Sequence, residues 1–307
     1  MRYLITGANG FIGRKLVESL SNSSDNEVFV LDLIFDQITK NQNIYQLNMD
    51  LLDIDKSKLP QVDCLIHTAA LLGVDFVEQN PLETLMNNIR MLEPLRGYIQ
   101  SEKGKFVFFS TSEVYGDGLK KSQNGDDEFL SNNPSKKIGL PELDDPRTSY
   151  PLSKIVGEFL TRLSNNFLIL RPHNVYGPNM GIKHVIPQLI KKIDKVSDGD
   201  KVDLFNPEHQ RSFCFINDAV SQILYLLDND KQGIFNIGNP EEPIKISSLF
   251  EMIAFKMKKN ISYKEVNQHK TSPGYRKPII DDSFSNFTKL SRGLDEMINF
   301  YSNIDDL

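Results

Sequence analysis

The sequence predicts an α/β protein built on a doubly wound parallel sheet, followed by a smaller mixed α/β C-terminal domain. Three observations carry this expectation. The apolar run Arg2 to Ile5 leads into a glycine-rich turn, TGANGFIG (Thr6–Gly13), and then into an amphipathic stretch with Phe11, Ile12, Leu16, Val17 and Leu20 at helical spacing. A second buried run, EVFVLD (Glu27–Asp32), ends in an acid about 20 residues after the turn. Beyond it, apolar strands alternate with helical patterns through the first half of the chain, as in a parallel sheet with helices on both faces. A sheet of this kind, opened by a strand, a glycine turn and a helix, is of Rossmann type.

The first turn has the chemistry of a dinucleotide site. Gly7 allows the tight turn, Gly10 lets bare backbone approach a pyrophosphate, and Gly13 packs the helix against the strand. The helix N-terminus then offers N–H groups and a positive dipole end to the phosphates. The spacing is Gly-x-x-Gly-x-x-Gly rather than Gly-x-Gly-x-x-Gly, and glycines also merely close loops, so the turn alone leaves both readings open. Asp32 strengthens the first. It stands where a carboxylate accepts hydrogen bonds from ribose hydroxyls and repels a 2′-phosphate, and no Arg or Lys follows before Lys40. The cofactor is therefore expected to be NAD rather than NADP.

Further strands are expected at Asn43–Asn48, Asp63–His67, Lys105–Ser110 and Phe167–Arg171, with helices at Leu82–Gln100 and Pro151–Leu163. Ligands of such sheets sit beyond the carboxyl ends of the strands, so chemistry is expected just after His67, Ser110 and Arg171. Asp117–Ser149 is polar and long for a connection, and reads as a disordered insertion or as a lid. After Asn174 the elements shorten: a helix around His184–Val196, strands at Lys201–Phe205 and Arg211–Ile216, a helix at Asn217–Leu227, a strand at Gly233–Gly238, and helices at Ser247–Lys258 and Arg292–Asn303. The expected division is 1–174 and 175–307, with about 211–238 returning to the first domain.

With 307 residues, 39% hydrophobic and 25% charged, the chain has the composition of an ordinary globular protein. A formal charge of −6 argues against non-specific binding to nucleic acid or an anionic membrane. Cys64 and Cys214 sit in apolar runs without metal-ligand spacing, and no metal is expected. No apolar run approaches membrane-spanning length and the chain opens directly on a strand, so the expected location is the cytoplasm.

Tyr150-Pro-Leu-Ser-Lys154 places a phenol and an ammonium on one face of a helix. A nearby cation favours phenolate, so Lys154 is expected to pull the Tyr150 pKa down and make it a general base. With ten tyrosines in the chain, one such pair also arises by chance. Position favours function: Pro151 suits a first helical turn, and the pair follows a strand ending in Ser110-Thr111-Ser112-Glu113.

TGANGFIG, Asp32, HTAA (67–70), STSEVYG (110–116), YPLSK (150–154) and RPHNVYGP (171–178) occur in order, and QRSFCFINDA (210–219) and GIFNIGNPEEP (233–243) follow. In these motifs, which span nearly the whole chain, the sequence resembles the extended short-chain dehydrogenase/reductase family of nucleotide-sugar epimerases, dehydratases and decarboxylases.

The resemblance implies roles residue by residue. Tyr150 looks like the base that deprotonates a sugar hydroxyl, Lys154 like its partner and a ligand of the nicotinamide ribose, and Thr111 like the hydroxyl bridging substrate and Tyr150. Cofactor contacts are implied for Gly7, Asn9, Gly10, Phe11, Ile12, Gly13, Asp32 and Ser110. Asp50 and Leu51 resemble the adenine-side contacts, and Ala69, Ala70 and Asn88 the walls of the cofactor groove. Asn174, Arg211 and Arg276 resemble the residues holding the diphosphate of a nucleotide sugar, a task suited to the bidentate guanidinium; a surface ion pair is the alternative for each arginine. His184 is a candidate substrate contact, and so is His173, though a lone histidine is more often a packing residue. Ile89-Arg90-Met91-Leu92 departs from the small Gly-Thr pair common in the family. A homodimer through helices Leu82–Gln100 and Pro151–Leu163 is also implied.

The family's reactions begin alike, with oxidation at a sugar carbon, most often C4. The run Arg171–His184 resembles the epimerase side, so the expectation is an NAD-dependent nucleotide-sugar 4-epimerase working through a 4-keto intermediate. The Thr111-Ser112-Glu113 arrangement and Arg276 resemble a UDP-uronate decarboxylase, which is the runner-up. A 4,6-dehydratase is weakened by Ser112, where resembling enzymes carry Asp. Outside the enzymes, a non-catalytic NAD-binding regulator on the same fold remains an alternative.

Overall fold

The computed structural model of the chain describes every residue except 37, 39–40, 100–103, 117–130, 133, 135–137, 140–141, 267–273 and 304–307. Taken over the described residues, there are two compact units. One comprises Met1–Gly116, Lys137–Pro172 and Val220–Phe235; the other comprises Asp117–Lys136, His173–Ala219 and Asn236–Leu307.

The first unit is built on strands β1 (Arg2–Thr6), β2 (Glu27–Asp32), β3 (Ile44–Asn48), β4 (Cys64–His67), β5 (Lys105–Phe109), β6 (Phe167–Pro172) and β7 (Gly233–Ile237). They hydrogen-bond in the order β7-β6-β5-β4-β1-β2-β3. All neighbours from β3 to β6 run parallel, with Leu4, Leu65, Phe106 and Phe167 in one cross-strand register. This is the Rossmann-like, doubly wound sheet, and its strand order reverses between β1 and β4, where ligands of such sheets bind. β4 and β5 are buried along their whole length, which accounts for continuous apolar runs instead of alternation. Leu4, Leu31, Leu65, Phe106, Phe108 and Ile169 share a core cluster with Leu51, Leu92, Leu95 and Ile99. Each such side chain contributes about 1.5–3 kcal/mol on burial.

Helices α1 (Phe11–Ser21), α2 (Val74–Gln79), α3 (Pro81–Arg90), α4 (Arg96–Ile99) and α5 (Ser149–Thr161) cover this sheet. α5 lies so close to β5 that a Cβ on Gly157 would run into the Phe108 ring. The single helix expected over Leu82–Gln100 is broken instead. α3 ends at Arg90, a short 3-10 turn covers Glu93–Leu95, and α4 resumes at Arg96. Pro94 is the cause, because it lacks an N–H and its ring excludes the carbonyl a turn earlier. Gln100 lies outside the described residues, as does most of the polar stretch read as insertion or lid.

The second unit carries a four-stranded sheet in the order Pro243–Lys245, Gln210–Ser212, Tyr275–Pro278, Ser131–Asn132. Two parallel pairs accompany it, Val175–Tyr176 with Cys214–Phe215 and Lys201–Phe205 with Ser262–Val266. Helices Val185–Asp194, Ile246–Lys256 and Leu290–Ser302 pack here, the last held by a hydrogen bond from the Tyr301 hydroxyl to the Met180 carbonyl. The strand expected over Arg211–Ile216 is two strands in different sheets, and Ile216 already begins the helix Ile216–Asp228. Asn174 makes the break: at φ 40° its amide donates to the Ser212 carbonyl at 3.0 Å, and its carbonyl accepts the Cys214 N–H at 3.2 Å.

Candidate active site

The β1–α1 turn is built for close approach. Gly7 has φ 69°, and a Cβ there would lie 2.6 Å from the Ala69 nitrogen and 2.9 Å from Thr68 Oγ1. The Thr68 hydroxyl donates to the Thr6 carbonyl at 2.7 Å and lies 3.1 Å from the Gly7 carbonyl, while the Gly7 N–H donates to Leu31 at 2.9 Å. A Cβ on Gly13 would strike the Gly7 carbonyl, so the helix comes as near as backbone permits. Gly10 precedes α1; no side chain caps the helix and no acid occupies its first turn. That leaves the N-terminal N–H groups and dipole to an anion.

Asp32 lies beside this turn. Its carboxylate accepts the Asn9 and Leu33 backbone N–H groups, each at 2.8 Å. The Asn9 side chain donates to Asp36 at 2.8 Å, and its Oδ1 is buried without a hydrogen-bond partner. An orphaned acceptor beside a glycine cradle and an acid suits a ligand bearing hydroxyl donors and phosphates, which a dinucleotide does. Asp50 is exposed, and its Oδ1 accepts the Leu52 N–H. Leu51 turns its side chain into the core, leaving only backbone to face a ligand. Ala69 and Ala70 are half-buried after β4. Asn88 is a strut: its amide accepts from Leu71 N at 2.7 Å and donates to the Leu71 carbonyl and the Ser153 hydroxyl. It thereby ties the chain after β4 to α5.

Tyr150 is the second residue of α5 and Lys154 stands one turn on. Lys154 is buried; its Nζ donates to the Phe109 carbonyl at 2.9 Å and lies 5.0 Å from the Phe108 ring centre and 5.8 Å from that of Tyr150. Burial pushes its pKa down to about 7. For Tyr150, burial and then the Glu113 carboxylate push the phenol above its ordinary value, against the pull of the Thr111 hydrogen bond. The downward pull expected from Lys154 therefore does not dominate. A phenolate here needs more positive charge than one partly deprotonated lysine supplies.

Thr111 caps the 3-10 turn Ser112–Tyr115, its Oγ1 accepting the Glu113 N–H at 3.2 Å. Ser112 is buried and Glu113 half-buried. His67, at the end of β4, shares a 2.7 Å hydrogen bond with Thr6 and stacks on Phe108. Burial, then the Lys154 charge, lower its pKa to about 3, so it is neutral.

The depressed Lys154 pKa has a consequence for stability. Between about 7 and the ordinary 10.5 the unfolded chain binds more protons than the folded one, so stability rises with pH across that window. The thermal midpoint of the cofactor-free protein is expected to climb between about pH 7 and about pH 9, and the climb to shrink in Lys154→Met. Equal slopes in the two proteins would sink the assignment.

Sequence reasoning missed a buried network behind these residues. Ser110 donates to Glu158 at 2.6 Å, and Arg171 pairs with both oxygens of Glu158. The Ser110 hydroxyl, expected to face the cofactor, is thus already engaged. The available signal was Glu158 itself, eight residues beyond Tyr150 on the same helical face.

The expected substrate residues lie in the second unit. Arg211 and Arg276 are register partners on neighbouring strands. Arg211 donates to the Gln210 carbonyl at 2.7 Å, and burial together with the Arg276 charge lowers its pKa to about 10. Two guanidinium groups placed side by side favour an anion. Asn174 uses its amide on Ser212, as described. His184 is exposed and stands just before helix Val185–Asp194. His173 is fully buried, and its backbone N–H donates to Ile237. Among the described residues, no three His, Cys, Asp or Glu side chains gather as a metal site. No described helix is long and apolar enough to cross a membrane.

The doubly wound sheet and bare glycine turn are those of a dinucleotide-binding protein, with the helix that carries Tyr150 and Lys154 packed against the same sheet. The family model for the NAD-dependent epimerase/dehydratase family matches residues 3–238, and the chain belongs to that family. UDP-glucuronic acid decarboxylase 6 of Arabidopsis thaliana is 31% identical over 293 residues, covering 91% of this chain and 81% of that protein. Among solved structures, the UDP-glucuronic acid 4-epimerase of Bacillus cereus, in complex with UDP-glucuronic acid and NAD, aligns with TM-score 0.79 at 24% identity, over 98% of this chain and 99% of that one. TunA, an NAD-dependent NDP-hexosamine 5,6-dehydratase of tunicamycin biosynthesis, aligns with TM-score 0.80 at 21% identity, over 99% and 98%. The last two are likenesses of fold. The NAD dependence expected from Asp32 agrees with the family.

Proposed function

We propose that the protein oxidises UDP-glucuronate at C4 with NAD and then releases the sugar carboxylate as carbon dioxide. The observation that carries this reading is the Thr111–Ser112–Glu113 turn beside Tyr150, with a carboxylate near enough to shift the phenol. The similarity to a UDP-glucuronic acid decarboxylase supports it. Decarboxylation is thereby placed ahead of 4-epimerisation, the reverse of the ranking reached from the motifs alone.

Bound NAD supplies the acceptor, and later the donor, of one hydride. Tyr150, as phenolate, takes the proton of the C4 hydroxyl as the C4 hydrogen leaves with its electron pair. The ketone so formed stands β to the carboxylate, so the electrons of the C5–C6 bond flow into the carbonyl as carbon dioxide departs. Thr111 and the Tyr150 hydroxyl steady the enolate oxygen. Ser112 and Glu113 relay the proton that C5 takes up, and Tyr150 gives its proton back to the C4 oxygen as the sugar is reduced again. Lys154 supplies part of the positive charge that the phenolate requires, and the neighbouring guanidinium groups of Arg211 and Arg276 suit a diphosphate.

The second reading is 4-epimerisation of the same sugar, favoured by the run Arg171–His184. Incubation with NAD and UDP-glucuronate, beside UDP-glucose and GDP-, CDP- and dTDP-sugars, followed by mass spectrometry, separates the two. Loss of carbon dioxide is the expected result. An unchanged mass with a new stereoisomer would establish the epimerase, and loss of water a dehydratase.

The homodimer belongs to the same proposal. α3 and α5 pack on one another; Leu82 and Met86 on α3 are 72% and 47% exposed and Phe159 on α5 is 64% exposed, with Leu163 in the turn just after α5 61% exposed. Leu82 and Met86 share one helical face and Phe159 adds an exposed ring on the neighbouring helix, which suits a second copy. Sedimentation at micromolar concentration is expected to give a dimer, and the double variant Met86→Glu, Phe159→Glu a monomer. A monomeric wild type would remove the proposal.

A further inference from the structure

The reaction above leaves unused a buried ion pair on the catalytic helix. Glu158 follows Lys154 by one turn and Tyr150 by two, so all three side chains rise from one face of α5. Its carboxylate accepts Arg171 Nε and Nη2, each at 2.7 Å, and the Ser110 hydroxyl at 2.6 Å. Arg171 and Glu158 are 1% and 3% exposed, and half-exposed Arg162 stands 3.9 Å from the same carboxylate. On its other side the Arg171 guanidinium lies 4.9 Å from the Tyr115 ring centre.

Ser110 and Tyr115 are the two ends of the segment that carries Thr111, Ser112 and Glu113. Ser110 is the last residue to bond across the sheet, its N–H donating to Leu170 at 2.8 Å, and Tyr115 closes the 3-10 turn. The ion pair therefore grips the turn at both ends. A buried ion pair is a poor stabiliser, since desolvation offsets its attraction and apolar residues of equal volume often serve as well. An apolar pair could not receive the Ser110 hydroxyl or offer a flat cation to the Tyr115 ring.

We propose that Glu158 and Arg171 are positioning residues: acting through Ser110 and Tyr115, they hold the Thr111–Glu113 turn in register with Tyr150 on the same helix. The inference rests on the roles proposed above for Tyr150 and Thr111. Misplacing such groups by about 1 Å costs on the order of 100-fold in rate, so the pair acts on kcat rather than on binding.

The test uses the full chain with NAD and UDP-glucuronate. Ser110→Ala removes one end of the grip and leaves the ion pair intact. It is expected to lower kcat roughly 10-fold, with KM, calorimetric NAD affinity and the thermal midpoint near wild type. Ser110→Thr, which restores a hydroxyl, is expected to recover most of the loss. Glu158→Gln is expected to lower kcat further, and if it misfolds the Ser110 variants decide alone. A wild-type kcat in Ser110→Ala overturns the inference, and so does a loss that follows NAD affinity and melting or that Ser110→Thr fails to rescue. Tyr150→Phe is the reference: turnover retained there, or no wild-type reduction of NAD, overturns the underlying reading instead.

Discussion

Tyr150→Phe is expected to lower turnover of UDP-glucuronate by about 10²–10⁴-fold while NAD still binds. The change removes one oxygen from a half-buried ring and leaves α5 and the glycine turn in place. What is lost is the hydroxyl proposed to take the C4 proton, while Lys154 keeps its bond to the Phe109 carbonyl and Glu158 its pairing with Arg171. Calorimetry with NAD and a turnover assay on one preparation check both halves. Retained turnover would remove Tyr150 as the base, and loss of NAD binding would point to a folding defect.

Glu113→Gln is expected to have the second largest effect, and its form is diagnostic. Gln keeps the size and the polar contacts of the turn but can neither relay a proton nor carry charge. If Glu113 acts after oxidation, turnover falls by about 10²–10⁴-fold while the absorbance of reduced cofactor builds up and persists. The variant also loses the charge that raises the Tyr150 pKa, so the first half-reaction is expected to keep its rate or gain. Normal turnover with no build-up would favour epimerisation, in which no proton need be delivered to C5.

The first unit was legible in the sequence because its elements are specified locally. Strands buried along their length read as continuous apolar runs, and the turn residues of TGANGFIG have one backbone use. The break at Pro94 was legible too and was passed over for the helical periodicity around it. Other features depend on partners far apart in sequence. Nothing near Arg211–Ile216 announces that Asn174 intercepts the strand, and nothing near Arg171 announces Glu158. The pattern of the site was likewise visible where the chemistry is contiguous, at Tyr150-Lys154 and Thr111-Glu113. The balance of its electrostatics was not, because the rise in the Tyr150 pKa comes from burial and from a carboxylate on another segment.

The edge strand β7 sets an order for the birth of the molecule. β6 ends at Pro172 and β7 begins at Gly233, so a ribosome must add 60 residues (173–232) before that edge can be covered. At about 5–20 residues per second this takes roughly 3–12 s. During that interval the nascent sheet shows an open apolar border, Leu168 to Leu170, of the kind that recruits other chains. Lys105 waits as well, because its buried ammonium meets the Asp230 carboxylate at 2.5 Å and the Lys231 carbonyl at 2.9 Å only once that return has been made. A chain stopped before residue 230 would carry both defects together, making the arrival of residues 230–237, rather than emergence of the glycine turn, the step that commits this sheet to its native form.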